Sequence, residues 1–467
     1  MVRRRKRERS LFEVLLPDGH KLWPDWLRRM DTLLEDDAVI DVVTSALEAR
    51  WPQSRRRGRP GTPAEIVIRL LILKHLFDWS YDDLEQEVRA NLVYRAFTRS
   101  DADEVPDAKT ILKIARVLGP DVIEQLHRQV VEVAKRAGVT RGRRFRVDTT
   151  VVETNVHYPT DSTLMQDGVR VLTRTMQRAS AALGDQPGRI RHRLRSVTRR
   201  VLQIGYQARS PKTREALVES YRKLMATTRA VLRDADTMVR RLSQRRRTAT
   251  AGATAVLQRA QQQLQQMRPL VGRVVAQARA RLIGGDTHVP NKVLSLFEPH
   301  TTTIRKGKIA KPNEFGNLVT VQEAEGQIIT AFEVHAGRPA DVTLWTRALD
   351  RHVAIFGRAP HLAAGDRGFS SAANEHAATT RGVRRVVLPR RGPKTPARRA
   401  FERQAWFRRG QRWRVGCEGR ISVIKRRHGL RRCRYHGTDG MARWVGLGVI
   451  ADNLMNTARF ANARNAA

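Results

Sequence analysis

The fold is decided by the stretch Arg144-Phe-Arg-Val-Asp-Thr-Thr-Val-Val152. Its apolar and polar residues alternate, and β-branched residues follow Asp148, which is the pattern of a half-buried β-strand. Helical periodicity precedes this stretch and returns after it. We predict that it is the first strand of a mixed α/β domain.

The other strands of that domain are predicted after Pro290. Two strands are expected over 318–323 and 327–334, joined by a tight turn. The pattern then continues with a helix over 340–356, a strand over 360–365, a helix over 371–380, a strand over 385–388 and a helix over 411–428. This order is similar to that of ribonuclease-H-like proteins, in which the first three strands are antiparallel and helices cover the sheet. We therefore predict an α+β or α/β, ribonuclease-H-like domain with a mixed sheet flanked by helices.

Five segments follow from these changes of pattern. They are a basic N-terminal arm (1–62), a helical DNA-binding domain (63–139), the first part of the ribonuclease-H-like catalytic domain (140–163), a helical insertion after the first strand (164–285) and the remainder of the catalytic domain (286–467). Four short, basic-flanked helices in the second segment favour DNA contact, although a purely structural bundle has the same pattern. The insertion has sparse apolar stripes, so we expect long exposed helices rather than another globular core. They could lie along DNA, pair with a second subunit or act as a solvated spacer.

Charge is the dominant feature of the composition. Lys and Arg number 88 against 46 acidic residues, a formal net charge of +42. Such a field indicates a polyanionic partner, most often nucleic acid, although a GC-rich genome also raises the Arg content. Two cysteines, Cys417 and Cys433, are too few for a disulfide framework or a Cys-rich zinc site. The apolar stretches 11–16 and 66–77 are short and interrupted by charges, so we expect a cytoplasmic protein without a membrane partner.

Three acidic residues fall on elements that would meet at one edge of such a sheet. Asp148 lies in the first strand, Asp366 ends the fourth strand beside it, and Glu418 lies on the last helix, which packs across that edge. Each acid alone is weak evidence, because an acid at a strand end is more often a cap or a surface charge. Together they predict a site for two divalent metal ions, since hard carboxylate ligands suit the two-metal chemistry that opens or joins a phosphodiester.

Glu418 lies within a charged stripe of the last helix. One face of the helix carries Arg414, Glu418, Ser422 and Lys425, because these residues are spaced by four, four and three positions. An ordinary surface ion-pair stripe has the same pattern. However, Gly416 and Gly419 each cost about 1 kcal/mol relative to Ala inside a helix, and a close approach of the backbone to the sheet or to DNA would explain them.

Several motifs resemble those of DDE insertion-sequence transposases, especially the group called ISNCY. Asp148-Thr-Thr-Val-Val-Glu resembles the first-aspartate block, and Asp366-Arg-Gly-Phe the second. The pattern Arg414-x3-Glu418-x6-Lys425 is similar to the Arg-Glu-Lys part of a Tyr-Arg-Glu-Lys signature. Further matches are Glu298-Pro-His-Thr-Thr, Lys311-Pro-Asn-Glu-Phe-Gly316 and Gly337-Arg-Pro-Ala-Asp341. The resemblance covers nearly all of residues 63–460 and thins through the insertion.

This resemblance implies a transposase that binds the terminal inverted repeats of an insertion sequence and catalyses DNA cleavage and strand transfer. It implies that Asp148, Asp366 and Glu418 are the catalytic residues and the ligands of two Mg²⁺ ions, for which Mn²⁺ can substitute. DNA binding is expected for Arg414, Lys425, Arg367, Lys311 and Arg426. Because two ends must be synapsed, we expect at least a homodimer that acts on the element's ends and a target duplex at the bacterial nucleoid.

The chain departs from the family pattern at two places. Gln411 stands where the signature has Tyr, so the role of that Tyr in positioning DNA is either missing or taken over by Trp413. The insertion follows the first strand, whereas transposases of this broad type often carry one between the fifth strand and the glutamate helix. Among the other acids, Glu153 and Asp161 are expected to order the following loop. Asp341 is expected to cap a helix rather than to act as a fourth acid near the metals.

Two other functions remain compatible with the sequence. A ribonuclease-H-like nuclease or resolvase would use the same three acids without strand transfer, but the family-like motifs outside the triad argue against it. A DNA-binding protein derived from a transposase would need only the basic surface, and the intact triad argues against such decay. Metal-dependent nicking separates an enzyme from a binding protein, and joining of a cut end to a second duplex separates a transposase from a nuclease.

Overall fold

The computed structural model of the protein describes residues 1–6, 19–50, 53, 61–101, 104–186, 188–245, 251–286, 288–305 and 313–465. The chain forms two compact units, one of residues 1–155 with 304–467 and one of residues 156–303. Among the residues so described, no helix combines the length and the apolar character that crossing a membrane requires.

The first unit begins with a helical region. Its helices are α1 (Asp25–Leu33), α2 (Asp37–Ala49), α3 (Ala64–Leu76), α4 (Tyr81–Ala90), α5 (Leu92–Thr98), α6 (Ala108–Ala115) and α7 (Pro120–Arg136). Every residue of α3 is buried, because it packs against α2, α4, α5, α6 and the helix Gly437–Asn465. This broad burial follows from apolar residues on every side of α3, and the buried charge of Arg69 is paired with Asp31.

The prediction of a basic arm over 1–62 is wrong for much of that segment. Helices α1 and α2 bury Leu27, Met30 and Val43 in the same hydrophobic core as α3. An amphipathic helix gains stability only when its apolar stripe is covered by another element, and here the stripes are covered within the bundle. The basic stretch 54–60 lies outside the described residues.

The apolar spacing over 80–97 predicts a single helix, but the structure has two helices there, α4 and α5. Asn91 ends α4 in an extended conformation, and its side chain accepts hydrogen bonds from two backbone N–H groups at the start of α5. An asparagine N-cap satisfies donors that a continuous helix would not expose, so it divides the periodic stretch.

The second unit is a helical bundle. It consists of α8 (Asp161–Ala182), α9 (Leu194–Gln207), α10 (Arg214–Arg245) and α11 (Ala251–Leu282). Helix α8 packs against the other three helices. A Cβ atom at Gly168 of α8 would lie 2.6 Å from Val271 Cγ2 of α11, so this glycine permits the close approach of the two helices.

The prediction that the insertion lacks a core of its own is wrong. Leu172, Leu224 and Leu264 belong to a hydrophobic core that all four helices share. Each helix has only a narrow apolar stripe, but the four stripes face a common axis and together exclude water. The compact unit spans 156–303 and so extends beyond the predicted insertion, 164–285, at both ends.

A mixed sheet forms the centre of the first unit. Its strands are β1 (Arg144–Glu153), β2 (Thr302–Arg305), β3 (Asn313–Glu323), β4 (Ile329–Val334), β5 (Leu362–Ala364) and β6 (Arg385–Val387). The strand order is β2-β3-β1-β5-β6, and β4 also pairs with β3. Strand β3 is antiparallel to both β1 and β4, whereas β5 is parallel to β1 and to β6. The fourth predicted strand, β5, therefore lies beside the first, and β2 is a strand that the sequence pattern did not predict.

Helices cover both faces of this sheet, which confirms the predicted mixed sheet flanked by helices. The remaining helices of the first unit are α12 (Asp341–Phe356), α13 (Ala372–Thr380), α14 (Pro396–Arg403), α15 (Ala405–Arg427) and α16 (Gly437–Asn465). Phe145 packs with Trp345 of α12 on one face, and Val152 packs with Trp444 of α16 on the other. Because side chains alternate along a strand, Asp148 shares the face of Val152.

Candidate active site

Asp148 lies in the middle of β1, and the adjacent strand β5 leads to Asp366. The parallel register pairs Arg146 with Ala364. Asp148 lies two residues after Arg146 in β1, and Asp366 lies two residues after Ala364, just beyond the end of β5. Asp366 has an extended backbone (φ −77°, ψ −177°). Its carboxylate accepts a hydrogen bond of 2.7 Å from the backbone N–H of Gly368. The two neighbouring strands therefore bring these acids to the same edge of the sheet.

Glu418 lies on α15, and Arg414, one turn earlier, joins it to Asp148. Helix α15 packs against β1, β5 and β6. Arg414 Nη2 donates a hydrogen bond of 2.7 Å to Glu418 Oε1, and Arg414 Nη1 lies 3.6 Å from Asp148 Oδ2. The Asp148 side chain is 13% exposed and that of Glu418 is 59% exposed. Carboxylates from the strand and from the helix thus contact one guanidinium group.

The position of α15 over the sheet depends on Arg146, a buried residue that sequence reasoning missed. Its guanidinium donates hydrogen bonds to the Glu323 carboxylate of β3 and to the backbone carbonyl of Trp413 on α15. The same guanidinium lies 4.7 Å from the centroid of the Trp413 ring. Alternation along β1 places Arg146 on the face of Asp148, which is the signal that could have identified it. Arg146 therefore links two strands to the helix that carries Glu418.

Burial governs the ionisation of the groups under α15. It raises the pKa of Glu323, and the hydrogen bond from Arg146 opposes that rise. Burial also raises the pKa of the Cys417 thiol well above its usual value, and the nearby carboxylates of Glu323 and Asp148 add to the effect. Cys417 is therefore a protonated packing residue on the inner side of the helix.

The two glycines of α15 have different surroundings. A Cβ atom at Gly416 would lie 2.5 Å from Arg146 Nη1, whereas nothing lies within 4 Å of a Cβ atom at Gly419. We expect Gly419→Ala to raise the free energy of unfolding by up to about 1 kcal/mol, because Ala is the better helix former. Gly416→Ala should lower it instead, because Arg146 is held by two hydrogen bonds and cannot move away freely. Urea denaturation of the two variants makes the comparison, and equal stabilisation by both would contradict the close approach at Gly416.

Asp341 does not cap α12, so that prediction is wrong. The N-cap residue is Ala340, and Asp341 is the first residue of the helix. Its carboxylate accepts a hydrogen bond of 3.1 Å from Thr149 Oγ1, and a Cβ atom at Gly368 would overlap Asp341 Oδ2. The Asp341 side chain therefore bonds to the Thr149 hydroxyl of β1 and does not cap the N-terminus of α12. It lies beside the residue that follows Asp148 and against the turn that follows Asp366.

The two acids that follow Asp148 in sequence, Glu153 and Asp161, contact residues that are distant in sequence. Glu153 Oε2 lies 3.7 Å from the guanidinium of Arg432. Asp161 begins α8 and is buried, with its carboxylate 2.8 Å from Gln277 Nε2 and 2.9 Å from Arg281 Nη2, both on α11. Asp161 therefore orders the start of a helix within the bundle.

The cations predicted to bind DNA differ in their surroundings. Arg367 and Arg426 are exposed, whereas Arg414 and Lys425 are half-buried. Lys311 lies outside the described residues.

The signature Tyr has no substitute in Trp413. Trp413 packs on Arg146 and so faces the sheet. Gln411, by its spacing of three residues, lies on the stripe of Arg414. Trp413 therefore does not occupy the place of the signature Tyr.

The chemistry of the acids fits a divalent metal, although their present arrangement does not enclose one. Across the described ranges, no group of three or more His, Cys, Asp or Glu side chains is arranged to hold a metal ion. Asp148, Asp366 and Glu418 would offer the hard oxygen ligands that Mg²⁺ prefers. Glu418 is bound to Arg414 in this conformation, so its exposed side chain would have to rotate to join the other two.

Comparison with known proteins supplies the family. A family model described as a transposase domain matches residues 12–116, and one described as a transposase DDE domain matches residues 375–458, which include Glu418. These two matches support a DDE transposase of an insertion sequence. This confirms the family that the motifs predicted. The DDE match does not reach Asp148 or Asp366, and the assignment to the ISNCY group stays a prediction.

A curated relative matches only part of the chain. The uncharacterized protein ORF8 in the nfe locus of Rhizobium meliloti is 31% identical over 123 residues. That match covers 25% of this chain and 59% of the relative's own length. No solved structure matches the transposase.

Proposed function

We propose that the transposase binds the terminal inverted repeats of its insertion sequence, cleaves the DNA there and joins the freed 3′-hydroxyl to a target duplex. Asp148, Asp366 and Glu418 would form the reaction centre. The observation that carries this proposal is the guanidinium of Arg414, which contacts the acids of β1 and α15 beside the strand end that bears Asp366.

The proposal includes a ribonuclease-H-like catalytic domain. Its support is the strand order, with β3 antiparallel to its neighbours and with β5 and β6 parallel to β1. Helices on both faces agree with the same architecture. We also assign DNA contact to the helical region over 63–139, and the transposase-domain match to residues 12–116 supports this assignment.

The chain's own groups have distinct parts in this chemistry. Two Mg²⁺ ions, or Mn²⁺ in their place, would activate the attacking oxygen and stabilise the leaving oxygen. Asp148 is held in a strand and largely buried, so its carboxylate is positioned before any ligand binds. Once Glu418 turns away, the planar guanidinium of Arg414 is available to bind phosphate oxygens in pairs. Arg367, exposed next to Asp366, can bind the adjacent backbone.

The proposed reaction sets the partners and the place of action. Both ends of the element must be held together during transfer, so the active form would be at least a homodimer. The substrates are the terminal repeats and a target duplex, which places the enzyme in the cytoplasm at the nucleoid.

A strand-transfer assay tests the proposal. Full-length protein is incubated with a labelled duplex that carries the element's end and with an unlabelled target plasmid, with Mg²⁺ or with EDTA. We expect cleavage at the end and covalent joining of the label to the plasmid, both only with Mg²⁺. Cleavage without joining would replace the proposal by a nuclease, and specific binding with neither reaction would replace it by a DNA-binding protein.

A further inference from the structure

One face of α9 carries exposed cations and exposed apolar side chains together. The α9 stripe consists of four residues of the helix, spaced by four, three and four residues, and one residue in the turn just beyond its end at Gln207: Arg195, Arg199, Leu202, Tyr206 and then Arg209. Leu202 is 61% exposed and Tyr206 is 70% exposed. Large apolar side chains that remain this exposed among cations indicate a contact surface rather than an ordinary solvated face.

The arginines of α9 and its flanks divide into two sets. Arg193 donates a hydrogen bond to the Asp234 carboxylate of α10, and Arg200 Nη1 donates one of 3.0 Å to Thr227 Oγ1 of the same helix. Those two arginines serve the bundle. The cations of the α9 stripe are exposed, and within the described residues none of them forms an ion pair with a carboxylate.

The charge of the stripe selects the partner. Helix α9 contains no acidic residue, so the whole face is positive. A second copy of the same face would be repelled by like charge. The helical part of the stripe, from Arg195 to Tyr206, spans about 17 Å at a helical rise of roughly 1.5 Å per residue. This length matches roughly five base pairs of duplex DNA at about 3.4 Å each.

We propose that the α9 stripe binds the phosphate backbone of duplex DNA without regard to sequence. The three arginines contact phosphates, and Leu202 and Tyr206 contact the sugars between them. Arg209 lies 5.4 Å from the centroid of the Tyr206 ring, so the ring holds this cation at the outer end of the stripe. The proposal deepens the proposed function and rests on it only in taking DNA as the partner.

A binding titration with full-length protein tests the charge of the stripe. The variant Arg195→Ala/Arg199→Ala/Arg209→Ala is compared with Arg229→Ala/Arg233→Ala/Arg240→Ala, which removes three exposed arginines from α10. Affinity for a random-sequence duplex is measured across a range of salt concentrations. We expect the first variant to flatten the salt slope by roughly 0.9 for each phosphate that an arginine no longer neutralises, with the α10 variant close to wild type. Equal slopes for the two variants would overturn the proposal.

A second pair of variants tests the apolar part of the stripe. Leu202→Ala/Tyr206→Ala should weaken affinity severalfold at every salt concentration. It should change the salt slope by no more than the contribution of one phosphate, because Arg195 and Arg199 do not depend on the Tyr206 ring. Val256→Ala, at an exposed apolar residue of α11, is the control and should not change affinity. Unchanged affinity in the double variant, or a change of oligomeric state in its place, would contradict the proposal. Both tests measure binding to random-sequence DNA and require no cleavage. Loss of strand transfer alone would therefore count against the proposed function and not against binding by the α9 stripe.

Discussion

Asp366→Asn is expected to abolish DNA cleavage while DNA affinity stays at the wild-type level. Asn keeps the shape of the side chain, so the hydrogen bond from the backbone N–H of Gly368 can persist. It removes the negative charge that a hard divalent ion requires. Loss of an outer-shell partner of a metal site costs roughly 10- to 100-fold. Since we propose Asp366 as a direct ligand, its loss should exceed that range. Binding, which we attribute to the basic surface, should not change.

The measurement combines Mg²⁺-dependent cleavage with a gel-shift titration on the same duplex. Asp350→Asn provides the matched control, because Asp350 lies on α12, is exposed and pairs with Arg381. We expect the control to cleave at the wild-type rate. Wild-type cleavage by Asp366→Asn, or loss of binding together with cleavage, would refute the role assigned to Asp366.

Arg146→Met is expected to destabilise the first unit strongly. The side chains of Arg146 and Glu323 are 6% and 0% exposed, respectively, so their ion pair is buried. Removal of one partner from a buried pair leaves an uncompensated charge and typically costs about 3–5 kcal/mol. The substitution also removes the hydrogen bond to the Trp413 carbonyl, so α15 should lose its anchor on the sheet. Cleavage should fall with stability, since Glu418 is carried by this helix.

The pH dependence of this loss has a definite sign. Burial raises the pKa of Glu323 in the folded state, and the hydrogen bond and charge of Arg146 oppose that rise. In the variant this opposition is lost, so the pKa of Glu323 should rise further. A carboxyl whose folded pKa exceeds its unfolded pKa takes up a proton more readily in the folded state. The variant's deficit relative to wild type should therefore be largest at neutral pH and shrink as the pH falls through the folded pKa.

Urea denaturation at pH 7 and at pH 5 measures this deficit. Arg381→Met is the control, because it breaks a more exposed ion pair with Asp350, for which the loss should be about 1 kcal/mol or less. A deficit for Arg146→Met that equals the control, or one that grows as the pH falls, would contradict the buried-pair interpretation.

Local sequence patterns determined several parts of this protein. Alternation over 144–152 predicts β1, and apolar periodicity predicts α12 close to its observed bounds, Asp341–Phe356. Spacing alone placed Arg414 and Glu418 on one face of a helix, and the two are hydrogen-bonded there. These features are predictable because each depends on burial along a single element, which repeats with the period of that element. Net charge and the family motifs likewise require no knowledge of the fold.

Tertiary structure decided what depends on pairings between distant elements. The core of the helical bundle forms because four narrow stripes face each other, and no single stripe reveals its partners. Asp341 accepts a hydrogen bond from Thr149 rather than capping its own helix. Arg146 donates hydrogen bonds to Glu323 of β3 and to Trp413 of α15. The period of a helix or strand specifies which side of it is buried. Only strand register and helix packing specify which distant side chains meet on that side, and those contacts position the candidate active site.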